Sequence, residues 1–319
     1  MLAAIAIAAI APGLGTRGGT LHVDLVTQIG VALVFFLHGA ALSGAALKTG
    51  AANWRLQRLV QSTTFFLFPL LGAALYFVAR PFAPAEVLLG LFYLCVLSST
   101  ISSSVAMTAM AKGDVAAAVF NATLSGLLGM VVTPILIGFV TAGTQAVPWL
   151  TSLGDIALKL FAPFALGHLV RPLLGSFIDA RKAFLSKLDR SVIVLIVYGA
   201  FCDSIIGDMW SRYSAGVLVA VFGVVALLLV VALMFTRSAA RRLGFSREQE
   251  VAALFCGSQK SLANGAPMAK ILFGSHPALA MIMLPLLMYH QLQLVVCFAL
   301  ARRYAARAEA APAEKAACS

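Results

Sequence analysis

Charged side chains are scarce in this chain: they occupy 11% of its 319 positions, and only 12 residues are acidic. A soluble domain is about 25% charged and about 45–50% apolar. Here 61% of residues are hydrophobic and the mean hydropathy is +0.97. A soluble core of this length cannot hide that much apolar surface, so an ordinary soluble fold is excluded. The 5 cysteines, Cys95, Cys202, Cys256, Cys297 and Cys318, stand far apart. Their spacing excludes a disulfide framework or a metal knuckle, and they read as small apolar packers. HExxH, GxSxG and paired acidic motifs are missing, which argues against an enzyme. Alternating apolar and polar stretches are missing too, which argues against a membrane barrel. The 21 phenylalanines exclude a disordered chain.

What remains is a succession of long apolar runs, each near the roughly 20 residues that cross a bilayer as a helix. About ten such spans are expected, near 1–15, 25–46, 59–79, 85–110, 115–141, 152–174, 189–210, 214–236, 250–272 and 278–301. The first, MLAAIAIAAIAPGLG, has no basic flank and reads as a short first helix, not a signal peptide. Helices are required because an unpaired backbone group is costly in lipid.

The net charge of +11 comes from basic residues scattered between apolar runs, a pattern unlike a nucleic-acid surface. They fall in alternate connections. One set holds Lys48, Arg55 and Arg58, then Lys112, then Arg171, Arg181, Lys182, Lys187 and Arg190. It continues with Arg237, Arg241, Arg242 and Arg247 and ends with Arg302, Arg303, Arg307 and Lys315. The other set holds only Arg17, Arg80, Arg212 and Lys270, while Lys159 and Lys260 lie within spans. Basic loops stay in the cytoplasm, so both termini are expected there. Five spans then enter from each side, the layout of an inverted-repeat transporter.

Two polar interruptions stand at corresponding places in the two halves. The fourth span carries Ser98-Ser99-Thr100-Ile101-Ser102-Ser103-Ser104, and the ninth carries Gly257-Ser258-Gln259-Lys260-Ser261-Leu262-Ala263-Asn264-Gly265-Ala266-Pro267. Paired breaks of this kind point to a binding site at the membrane midplane. Lys260 lies far inside the ninth span, where a cation is expensive. It reads either as a structural or snorkelling lysine or as a functional one: an anchor for a substrate anion, a titrating proton carrier, or a fixed charge replacing a bound cation. The serines read as a polar, partly unwound lining in preference to hydroxyls bonded back to their own helix. Thr108 in the same span, and Asn121, Thr123 and Ser125 in the next, are placed to face that lining.

Asp203 is an acid within a span, expected to bind a driving cation, to pair with Lys260, or to sit in a water-filled outer vestibule. His290, Gln291 and Gln293 in the last span either tie helices together or line the site. His38 reads as a hydrogen-bonded interior histidine before a proton carrier. The substrate- and ion-binding candidates are therefore Ser102, Ser103, Ser104, Thr108, Asn121, Thr123, Ser125, Asp203, Ser258, Gln259, Lys260, Ser261, Asn264, His290 and Gln291.

FFLHGAALS at 35–43, NWRLQ at 53–57 and FYLCVLSSTISSSVAMTAMAKGDVAAAVFNATLSGLLG at 92–129 resemble the bile acid:sodium symporter superfamily. So do PFALGHLVRP at 163–172, CGSQKSLANGAPMAKILF at 256–273 and LPLLMYHQLQLVVCFALARRY at 284–304. The likeness is greatest to its SBF-like, YfeH-type bacterial branch. The resemblance implies an all-α integral membrane fold of two inverted five-helix repeats, with spans 4 and 9 as crossed broken helices. It implies one polytopic domain over 1–305, divided into a panel (about 1–58 and 152–212) and a core (about 59–151 and 213–305). The tail, 306–319, is expected to be disordered and cytoplasmic.

Of the sodium ligands known in that superfamily, the resemblance carries over Ser104 and Gln259. Phe255 stands where the ninth-span glutamate would be, and Val105 where an asparagine would be. Sodium at Ser104 and Gln259, a proton, or no ion at all are the coupling options, with no other cofactor expected. The function implied is a secondary active transporter of a small organic anion in a bacterial inner membrane, working by alternating access. An ion or solute channel, or a transport-related sensor, is the alternative.

Overall fold

The computed structural model describes residues 2–16, 18–41, 53–141, 149–274 and 276–317. Arg17 and Lys48 of the charge alternation, and the end of the second expected span, lie outside the described residues.

Every regular element among the described residues is helical. In chain order these are α1 (Leu2–Ile10), α2 (Pro12–Gly15), α3 (Val23–Ala41), α4 (Trp54–Ala79), α5 (Ala85–Val96), α6 (Ser102–Met110) and α7 (Val115–Thr141). There follow α8 (Trp149–Ala180), α9 (Lys182–Ile206), α10 (Ala215–Arg242), α11 (Arg247–Ser258), α12 (Leu262–Phe273) and α13 (Leu279–Ala317). Among the described residues six stretches are long and apolar enough to cross a membrane: α3, α4, α7, Leu158–Ile178 of α8, α10 and Leu279–Glu309 of α13. Large apolar side chains such as Phe66, Phe77, Leu169, Val219, Leu227 and Val295 are exposed. A soluble protein does not present that many, whereas a lipid-facing surface does. The chain is an all-α membrane protein.

The helices pack in two groups. α3 lies along α8, and α9 packs on α1, α2 and α3. The α3–α8 approach is close because Gly39 and Gly167 meet there: a Cβ on either would fall on the carbonyl of Phe164 or Phe36. Small residues of this kind let membrane helices touch through their backbones. In the second group α5 packs between α4 and α13, α11 against α10, α6, α4 and α7, and α12 against α13. Contacts of α12 with α9, α8 and α3, of α7 with α8 and of α13 with α9 join the groups.

Two of the expected spans are broken. α5 stops at Val96, residues 97–101 are not helical, and α6 begins at Ser102. α11 stops at Ser258 and α12 begins at Leu262. α11 itself starts with a capping box: Ser246 Oγ accepts from Gln249 N while Gln249 Oε1 accepts from Ser246 N. Beside it Glu250 is held by Arg241 Nε at 3.0 Å and Tyr304 Oη at 2.7 Å, which fastens α10 and α13 to α11. The final helix runs on to Ala317. Alanine, arginine, lysine and glutamate in this stretch favour helix.

Candidate functional site

The two breaks abut. Ser261 N donates to Ser98 O at 2.9 Å, and Asn264 Nδ2 to Ser98 Oγ at 3.1 Å. Each break frees backbone groups that the helix would otherwise use, and each freed group must find another partner in an apolar interior. Thr133 Oγ1 donates to Val96 O at 2.7 Å, and Tyr289 Oη to Ser258 O at 2.5 Å. The Gln293 amide brackets Lys260, accepting from its N–H at 2.8 Å and donating to its carbonyl at 2.9 Å. Ser261 caps α12 by accepting from Asn264 N. The broken backbone is therefore a built structure, held by side chains from α7 and α13 and by bonds between the two breaks.

Lys260 sits at the centre of this crossing and is 0% exposed. Its ammonium donates to Leu97 O at 2.7 Å, Cys95 O at 2.9 Å and Thr64 O at 3.2 Å. It also lies 4.0 Å from the centre of the Phe68 ring. Three carbonyls match the three protons of an ammonium, and the ring face adds a cation–π contact. Cys95 and Leu97 end α5, where carbonyls are left unbonded and the helix dipole is negative. Thr64 is open for a different reason. Residues Thr63–Leu67 form a π turn in which Phe68 N bonds back to Thr63 O. The next donor in that pattern would be Pro69, which has no N–H. The sequence thus makes three orphan carbonyls and supplies one cation to fill them.

The remaining candidates divide. Ser103 Oγ donates to Gln259 Oε1 at 2.6 Å, and Ser125 Oγ accepts from Ser99 N at 2.9 Å, so these join the crossing. Ser104 donates to Thr100 O, Thr108 to Ser104 O, Thr123 to Val119 O and Ser258 to Leu254 O. These hydroxyls bond back to the preceding turn of their own helices. Asn121 Nδ2 does likewise to Ala117 O, but its Oδ1 is buried without a hydrogen-bond partner. Gln259 Nε2 and Gln61 Oε1 are in the same condition, and Gln61 Nε2 reaches Asn121 O at 3.0 Å. Gln61 was not foreseen, because a lone glutamine about two turns inside a helix gives no pattern.

His290 meets Gln293 at 3.1 Å and so supports the Lys260 bracket from behind. Gln291, one residue on and a third of a turn round the helix, is exposed on the far face, and Ser102 is exposed as well. Asp203 accepts from Thr16 Oγ1 at 2.9 Å, and the groups around the Lys260 ammonium are carbonyls and a ring. The expected Asp203–Lys260 pair is not formed. His38 lies 3.9 Å from Asp189 on α9, beyond hydrogen-bond distance.

A polar, carbonyl-lined crossing of two interrupted helices is the architecture of a solute carrier, and a family comparison decides which kind. The model of the SBF-like CPA transporter family matches residues 1–306. The chain belongs to that family. Its relatives include a protein of Pseudomonas aeruginosa, PA2026, 42% identical over 98% of this chain and 94% of the relative. The provisionally named symporter YfeH of Escherichia coli is 41% identical over 91% of this chain and 87% of its own length. Sodium/bile acid cotransporter 7 of Danio rerio is 32% identical over 92% and 88%. The family and these names make the chain a transporter and not an enzyme.

Within this SBF-like transporter, Phe255 is wholly buried and brings no carboxylate to the crossing. The oxygen of Gln259 is taken by Ser103 and the hydroxyl proton of Ser104 by Thr100. The donor set around Lys260 fits a cation, and the chain fills it with its own.

Proposed function

We propose that this SBF-like protein is a secondary transporter of a small organic anion, working by alternating access with a lysine in place of a coupling cation. The observation that carries the reading is the Lys260 ammonium seated on three carbonyls where the broken helices cross. Ten spans arranged as two inverted five-helix halves would place the breaks in α5–α6 and α11–α12 at equivalent depths. The packing of α1, α2, α3, α8 and α9 in one group and α4–α7 with α10–α13 in the other supports a panel and a core. The basic ends of α10 and α13, with Arg58, favour cytoplasmic termini in a bacterial inner membrane.

In this reading Lys260 has no contact with substrate, since nothing outside the protein reaches a side chain of 0% exposure. It holds the negative ends of the helix break together in every state, as a bound ion would do only when present. The expected consequence is transport that does not depend on sodium. Purified protein in proteoliposomes, given labelled organic anions under separate sodium and proton gradients, tests this. Uptake that rises steeply with a sodium gradient overturns the lysine-for-cation assignment, and Ser104 with Gln259 would then be the ion site to mutate.

A further inference from the structure

Lys159 and Lys270 converge on a cavity of about 700 Å³ between α3, α8 and α12, which Asp24, Gln28, Leu166 and Ile271 also line. Lys159 is ten residues past the start of α8, about 15 Å along it at 1.5 Å per residue. Lys270 is on the last turn of α12. Lysines so placed either snorkel to the interface or face an aqueous path, and intramembrane charges of the second sort mark function. Here both line the same half-open space. Its volume is that of an organic-ligand site, and its walls are mostly apolar with a few convergent polar groups. Asp24 Oδ1 is buried without a hydrogen-bond partner. A smaller space next to it is lined by Asp24, Thr27, Asp203 and Lys270. The cavity lies at the end of α12 remote from Arg247, the outer end in the proposed orientation.

Resting on the transport reading, we propose that this cavity is the substrate site in the outward-facing state. It receives an organic anion with its charged group between Lys159 and Lys270 and its apolar part on Leu166 and Ile271. Asp24 offers an acceptor to a hydroxyl or N–H on the same ligand and, with Asp203 beyond it, disfavours ligands carrying several negative charges. The anion anchor is then the pair Lys159 and Lys270, not Lys260. α12 begins next to Lys260 and ends in Lys270, so one short helix connects the substrate charge to the crossing.

The test needs no substrate. Ala162 lines the same cavity between the two lysines' helices, and Cys95, Cys202, Cys256 and Cys297 are buried. Ala162→Cys, made together with Cys318→Ser, is treated from outside in right-side-out vesicles with two impermeant methanethiosulfonates, one sulfonate-bearing and one trimethylammonium-bearing. Relative to a free thiol, the sulfonate reagent is expected to gain on the order of tenfold through the local potential. Lys159→Gln and Lys270→Gln are each expected to reduce that gain. Leu166→Cys repeats the measurement if the first variant does not fold. No reaction at either cysteine, a preference for the cationic reagent, or a preference indifferent to both lysine replacements overturns the proposal. Uptake in proteoliposomes separates the two claims. Unchanged KM in Lys159→Gln and Lys270→Gln removes the cavity as substrate site while transport stands. An intact anionic preference in a protein that moves no anion supports an anion cavity and removes the transport reading.

Discussion

In Lys260→Ala the carbonyls of Thr64, Cys95 and Leu97 lose the ammonium that fills them, in a place closed to solvent. A buried acceptor left unsatisfied costs about 1–3 kcal/mol, so three give a gross loss of ~3–9 kcal/mol by the same rule. Two effects work against it. Water enters the space left by the lysine stem and bonds some of the carbonyls. The several kcal/mol needed to desolvate an ammonium are also no longer spent. The net expectation is a destabilisation of a few kcal/mol, about 2–5 by these rules, with the fold retained. The assay is thermal unfolding of purified protein in detergent. Because the hole keeps its carbonyls and the Phe68 ring, a small primary ammonium should re-enter it. Ethylammonium at 100 times its Kd would restore about 2.7 kcal/mol. Tetramethylammonium has the charge but no N–H, and should restore little. Wild-type stability in the alanine variant, or equal rescue by tetramethylammonium, would refute the claim that the carbonyl cage holds the cation by hydrogen bonds.

Other outcomes follow from neighbouring contacts. Gln293→Leu leaves both the N–H and the carbonyl of Lys260 buried and unpaired, and should lower stability by about 2–4 kcal/mol, read as a lower Tm in the same assay. Gly39→Ala or Gly167→Ala places a Cβ on the facing carbonyl. Overpacking against backbone costs about 1–3 kcal/mol, and lower yield with a lower Tm on size-exclusion-purified protein is the expected readout; an unchanged Tm would count against the close α3–α8 packing. Glu250→Gln removes the acceptor charge shared by Arg241 and Tyr304 and should cost on the order of 1–3 kcal/mol. Hydrogen exchange should then rise at the starts of α11 and the end of α10 first.

The membrane class and the two breaks were legible because composition and polar runs are properties of the chain alone. Lys260 also stood out, since a lysine among Gly257, Ser258 and Ser261 far inside an apolar run has few explanations. Its role did not, because its partners are backbone carbonyls from residues 64, 95 and 97, and carbonyls leave no mark in a sequence. Pro69 was the available clue, yet its effect depends on a π turn that no residue pattern announces. The serines were ambiguous for a related reason. A hydroxyl that bonds its own helix, as Ser104 and Thr108 do, has the same letter as one that lines a path. Lys159 was passed over as a residue within a span, because only the fold shows that its face of α8 borders a cavity.

A bound ion travels with its substrate and leaves, whereas a charge tied to the chain at residue 260 goes back with the protein at the end of each turnover. Under the proposed function, nothing positive then accompanies the anion from that position. An inside-negative membrane opposes inward movement of one negative charge by about 2.3 kcal/mol per 100 mV, or close to fiftyfold in concentration at equilibrium. A carrier of this design therefore favours export of its anion by default, and accumulates it only if a proton or another cation is taken up elsewhere in the molecule. Which way the solute runs in a polarised cell is thus written in whether the cation at the crossing is dissolved or covalent.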